Sequence, residues 1–121
     1  MMKLLLFVSR KEGTSREAFR AHYEETHAPL AASLMTKCRR YVRNFVNEEV
    51  TGPMGFDCVT EFWFDLDGPW EQAAAAMADP QTNATLEADE ALFMDRGSMR
   101  ILTVYEHETP ADQLVGNRVQ E

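Results

Sequence analysis

At 121 residues the chain has room for one domain whose single core buries about two-thirds of the unfolded surface. Its 20 acidic against 12 basic side chains give a formal net charge of -8, which repels phosphate backbones and anionic lipid, so nucleic acid and membranes are not expected partners. The apolar opening run is too short to cross a bilayer and no small-residue cleavage pattern precedes Arg10-Lys11-Glu12, which reads as a cytoplasmic protein.

Met2 to Ser9 is expected as a strand with both faces covered, because the apolar run Leu4 to Val8 is too short for a helix and leads into a turn at Gly13. Thr14-Ser15-Arg16-Glu17 has the form of a capping box, which starts a helix near Ser15. At roughly 100° per residue, Phe19, Tyr23, Leu30 and Leu34 share a stripe, with His27 nearer its centre than His22. Pro29 cannot donate to the Glu25 carbonyl, so a kink or loose turn is predicted just after His27. An imidazole beside a tolerated helix break is a candidate working group; the plainer reading is a hydrogen-bonded core histidine.

Arg40 to Val46 and Phe56 to Phe64 read as the next two strands, joined by the loop Asn47 to Gly55, which is long enough to cover a pocket. Asp67-Gly68-Pro69 opens a second helix, with Pro69 at its first position, and Asp79-Pro80 stops it. Leu86, Glu90 and Phe93 share one side of a further short helix ending near Asp95, with Gly97 as a left-handed terminator. Arg100 to Glu108 makes a fourth strand. Residues 1–108 thus form the domain, and 109–121 are a tail expected to order against another subunit.

Strand, helix, strand, strand, helix, short helix, strand is the split βαβ pattern of an α+β, ferredoxin-like fold with a four-stranded antiparallel sheet. Strands one and three, the most apolar, belong at its centre, and the charged strands two and four at its edges. Two helices cover one face only, so the other face is expected to pack against a second copy in a homodimer. Cys38 and Cys58 lack the spacing of a metal or redox motif and are expected to be reduced core residues.

The Leu4-to-Arg10 strand, Glu17 to Phe19, Tyr23 with His27-Ala28-Pro29-Leu30, Arg40-Tyr41-Val42-Arg43-Asn44, Phe56-Asp57 with Glu61, and Asp89-Glu90 with Phe93 occur in an order that resembles the EthD family of the dimeric α+β barrel superfamily. The resemblance runs up to about Glu108. It implies a homodimer with a small cavity between sheet and helices in each subunit. Related barrels include cofactor-independent monooxygenases, cyclases, lactone isomerases and decarboxylases, so the fold does not by itself fix a reaction.

His22 and His27 are five residues apart, not the four of a zinc helix, and no metal site or cofactor is expected. Glycine loops that cradle phosphate and Gly-flanked nucleophile elbows are absent from the sequence. Proton transfer remains. His27 is the candidate base or acid and Tyr23 its catalytic companion. His22, Tyr41, Asn44, Asp57, Glu61, Trp63 and Tyr105 are candidate ligand-binding residues, and Tyr23, Tyr41 or Asn44 would hold an enolate-type oxygen. Asp57, Glu61 and Trp63 are expected on one face of strand three, where the carboxylates alternatively form ion pairs with Arg43 or Arg100. The sequence thus points to a small enzyme acting on a hydrophobic, oxygenated molecule in a catabolic or secondary-metabolite pathway, or to a non-catalytic binding dimer of such a pathway.

Overall fold

The structure, a computed structural model, describes residues 1–117. Strands β1 (Met2–Val8), β2 (Cys38–Phe45), β3 (Cys58–Phe64) and β4 (Arg100–Val104) form one antiparallel sheet in the order β2-β3-β1-β4. This is the ferredoxin-like arrangement, with the two most apolar strands at its centre. β4 stops short of Glu108 because Val104 already pairs with Lys3, one residue from the start of β1, and the chain beyond it has run past its neighbour. In the tail, Ala111–Gln113 and Val115–Asn117 make single 3-10 turns, and residues 118–121 lie outside the described residues.

The first helix, α1 (Arg16–His22), begins one residue later than the capping box predicts. The Thr14 amide is already donated to the Lys11 carbonyl in the turn at Gly13, whose φ of 82° suits glycine, so Glu17 has no free amide to accept from. Ser15 caps instead, its Oγ accepting the Ala18 N–H at 3.0 Å. The expected irregularity comes before Pro29 and not after His27: Tyr23–His27 is a π-helical turn, in which the Ala28 N–H reaches back five residues to the Tyr23 carbonyl. The helix resumes as α2 (Ala28–Leu34), with Pro29 as its second residue directly after the π turn. The extra residue in the turn moves the buried face along by one. Phe19 and Tyr23 are followed into the core by His27, Ala28 and Ala31, while Leu30 and Leu34 are half-buried.

Later in the chain, α3 (Trp70–Met77) follows an extended Pro69, and α4 runs Pro80–Phe93 over 14 residues, much longer than the short helix expected there. Pro80 ends one helix and starts the next, since it cannot continue α3 but fits the first turn of α4. Gly97 is not the terminator: α4 ends on an extended Met94, and Gly97 lies in a separate 3-10 turn without a positive φ. The end of α4 is tied to the end of β1 by Lys11 N–H to Phe93 O at 2.8 Å and Asp95 N–H to Ser9 O at 2.9 Å.

Register separates the two faces of the sheet. Leu4, Leu6 and Val8 sit opposite Phe62, Thr60 and Cys58 of β3, which in turn face Tyr41, Arg43 and Phe45 of β2. This side carries the helices and the core of Leu6, Val8, Phe19, Tyr23, Ala28, Cys58, Phe93 and Met94. The opposite side presents Leu5, Phe7, Val42, Val59, Trp63 and Leu102 to no helix, with Leu102 49% exposed. Cys38 and Cys58 are free, as expected, although only Cys58 is fully buried.

Candidate functional site

Two helices build the site. The π turn explains why two histidines five residues apart act together: an added residue per turn brings positions i and i+5 onto one face, as i and i+4 are in a regular helix. His22 Nε2 lies 3.0 Å from Asp89 Oδ1 and His27 Nδ1 lies 2.7 Å from Asp89 Oδ2, so one carboxylate on α4 bridges both rings. The five-residue spacing that sets the pair apart from a zinc helix therefore does not separate them. Among the described residues no group of three or more His, Cys, Asp and Glu is placed to hold a metal ion.

His27 is 4% exposed. The Tyr23 ring meets it edge-on at 5.5 Å and Phe93 lies at 5.2 Å, while His22 stacks on Phe93 at 4.4 Å. Its second nitrogen, Nε2, is 3.7 Å from Glu90 Oε2. Glu90 turns its other oxygen to Arg96 Nε at 3.1 Å, and burial pushes its carboxyl above the ordinary range. The site is thus one imidazole between neighbouring carboxylates of α4, with packed aromatic rings keeping water from its faces.

Tyr23 is fully buried and its hydroxyl is 2.6 Å from Thr60 Oγ1, so it packs the core and does not face an open space. Burial drives its phenol well above the usual tyrosine range and pushes Tyr41 up to about 12, so both stay neutral at physiological pH. Cys58, which contacts the same threonine, is pushed up to about 11 by burial and is a packed thiol, not a nucleophile. Tyr41 stacks on Phe62 at 4.8 Å beneath the Arg43 guanidinium, which makes a two-pronged ion pair with Glu24 at 2.8 and 2.9 Å.

That pair predicts a pH effect. The guanidinium holds the Glu24 carboxyl below its ordinary 4.5, so its stabilisation is complete above that value and is lost as pH falls through the lowered one. Urea midpoints of wild type and Glu24→Gln should differ at neutral pH and converge as the pH falls through the lowered Glu24 value.

The remaining candidates do not gather around His27. Asn44, Glu61 and Trp63 lie on the helix-free side of the sheet, where Glu61 takes Lys3 at 2.9 Å and Asn44 at 2.8 Å, and Lys3 and Arg40 each sit 4.4 Å from the Trp63 ring centre. Asp57 precedes β3 and turns away from Glu61 and Trp63, accepting the Arg10 N–H at 2.8 Å and facing Arg16 at 3.6 Å. The ion-pair alternative holds for both carboxylates, but with these partners in place of Arg43 and Arg100. Tyr105 is 97% exposed at the rim of a cleft of about 490 Å³ between Met2, Trp70 and Thr103. A second cleft of about 210 Å³ lies between α1 and the start of the Asn47–Gly55 loop, at Arg16, Phe19, Phe45 and Asp57. Neither cleft includes His27.

Asp89, Glu90 and Arg96 are partners that the sequence did not mark as site residues, although Glu90 shares a helix side with Phe93 and Asp89-Glu90 belongs to the family-like pattern; nothing in the sequence ties them to His27.

The EthD domain model matches residues 11–97, which include every member of this cluster. The chain belongs to the EthD family. Among solved structures, this EthD-family protein is similar to an EthD family protein of Bacillus halodurans, with 22% identity, 88% of this chain and 100% of that one covered, and a TM-score of 0.64. An EthD-like protein of Ralstonia eutropha is 23% identical over 84% of this chain and 88% of that one, with a TM-score of 0.56. A dimeric protein of unknown function with a ferredoxin-like fold from Bacteroides fragilis is 11% identical over 88% and 95%, with a TM-score of 0.57. These likenesses establish the fold. A search of curated proteins finds no match.

Proposed function

We propose that this EthD-family chain is a cofactor-independent proton-transfer catalyst for a hydrophobic, oxygenated small molecule, with His27 as its base and acid. The observation that carries this reading is the 2.7 Å contact between His27 Nδ1 and Asp89 Oδ2. A carboxylate accepting at Nδ1 fixes the ring orientation and tautomer and stabilises the cation that forms when Nε2 takes a proton. The base takes a proton from the substrate at Nε2 and returns it at another position, so the ring ends as it began. Tyr23 and Phe93 exclude water from the imidazole and keep that exchange from leaking. The test is a substrate screen followed by His27→Gln. The variant should remain folded and lose conversion; full turnover by His27→Gln would defeat the proposal.

A second reading, a non-catalytic binding dimer, is favoured by one observation: both clefts lie away from His27. Under it, screened compounds bind without pH-dependent conversion, and His27→Gln alters affinity alone.

Both readings include pairing of two chains through the helix-free side of the sheet. Its row of Leu5, Phe7, Val42 and Leu102 supports this, as does the similarity to a relative described as dimeric. Leu102→Lys places a charge at the β4 end of that row, directly across from Leu5. Sedimentation should show twice the chain mass for wild type at micromolar concentration and the single-chain mass for the variant.

A further inference from the structure

We infer that Glu90 is the positioning residue of the site, sharing a single proton between its Oε2 and His27 Nε2 while Arg96 holds its other oxygen. Asp89 leads to this conclusion. Its two oxygens each face an imidazole nitrogen, His22 Nε2 at 3.0 Å and His27 Nδ1 at 2.7 Å, and an ionised carboxylate can only accept. His27 must therefore donate from Nδ1, which leaves Nε2 with a bare lone pair unless the ring is charged. That lone pair looks at Glu90 Oε2 across 3.7 Å.

Two acceptors facing each other in a site with little water repel, and the arrangement becomes favourable only when a proton lies on one of them. The separation is longer than a hydrogen bond, as is common for proton-transfer pairs before substrate binds, but each atom feels the charge of the other. The charged groups facing Glu90 are His27 from the π turn, Arg96 from the 3-10 turn after α4, and Glu87 from its own helix, which sits 3.5 Å from Arg96. Arg96 binds Oε1 at 3.1 Å and so aims Oε2 at the ring. Burial, which raises the Glu90 carboxyl, acts in the same direction by favouring its protonated form.

The inference rests on the reading of His27 as a proton carrier, but its test needs no turnover. The side-chain carboxyl carbon of Glu90 is followed by NMR against pH in the intact protein. The wild-type trace should show two steps, because the group reports both its own proton and that of His27. His27→Gln should give one step, moved up by about one pH unit through loss of a cation at this range. Should that variant fail to fold, the wild type decides alone: the His27 Nε2 resonance should move through the same steps as Glu90. A single wild-type step with an unresponsive Nε2, or a Glu90 trace identical in His27→Gln, overturns the proposal. Two steps in a protein that converts no substrate would keep the shared proton and dismiss the catalytic reading.

Discussion

Phe93→Ala is expected to lower the unfolding free energy by about 3–5 kcal/mol, read from urea denaturation followed by tryptophan fluorescence. Phe93 is 1% exposed and is the hub of the aromatic cluster, with ring centres of Phe19 at 5.6 Å, Tyr23 at 5.4 Å, His27 at 5.2 Å and His22 at 4.4 Å. It is also the last residue of α4, and its carbonyl accepts the Lys11 N–H, so it joins helix, π turn and the end of β1 in one place. Truncation opens a cavity under both histidines that rigid neighbours cannot fill. Phe93→Leu, which keeps most of the volume, should cost less than about 1.5 kcal/mol. Equal losses for the two variants would mean that the restored bulk contributes nothing and that the stabilisation lies in the aromatic ring itself.

Asp89→Asn is expected to lower kcat/KM by about 100- to 10,000-fold once a substrate is identified. The amide matches the carboxylate in size but offers one acceptor and one donor where Asp89 offers two acceptors. Only one of His22 and His27 can keep its present bond; the other must move its proton to the far nitrogen or turn away. With Asp89 joined to both rings at 3.0 Å or less, the change misorients His27 or deprives it of a counter-charge for its protonated state. The loss should exceed that of His22→Gln, which leaves the His27 contact in place. Unchanged kinetics in Asp89→Asn would separate the dyad from the chemistry.

Much of the fold was legible in the sequence because it depends on local pattern. The apolar runs of β1 and β3 marked the centre of the sheet, and Pro80 marked the boundary between two helices. What was not legible depended on commitments made elsewhere in the chain. Thr14 cannot cap because its amide is spent on Lys11, and β4 is short because β1 has ended. The same holds for the site. Pro29 drew attention to His27, and the inward-facing position expected from the helix periodicity agrees with its burial. The partners of His27 were not legible, since Asp89 and Glu90 are more than sixty residues away and owe their inward position to the packing of α4 on the π turn. Strand alternation placed Glu61 and Trp63 together correctly, but could not be extended to Asp57, which lies before the strand begins.

The π turn between α1 and α2 gives this helix an unusual tolerance to length change. Deleting one residue from a regular helix rotates everything after the gap by about 100° and buries the wrong side chains. Between Tyr23 and His27 the same deletion removes the surplus residue instead, leaving a continuous α-helix whose flanking halves keep their present faces. Shortened versions of this protein that lack one of Glu24, Glu25 or Thr26 would then hold their two imidazoles four apart and still meet Asp89, so a histidine spacing of four or five in this helix describes the same site.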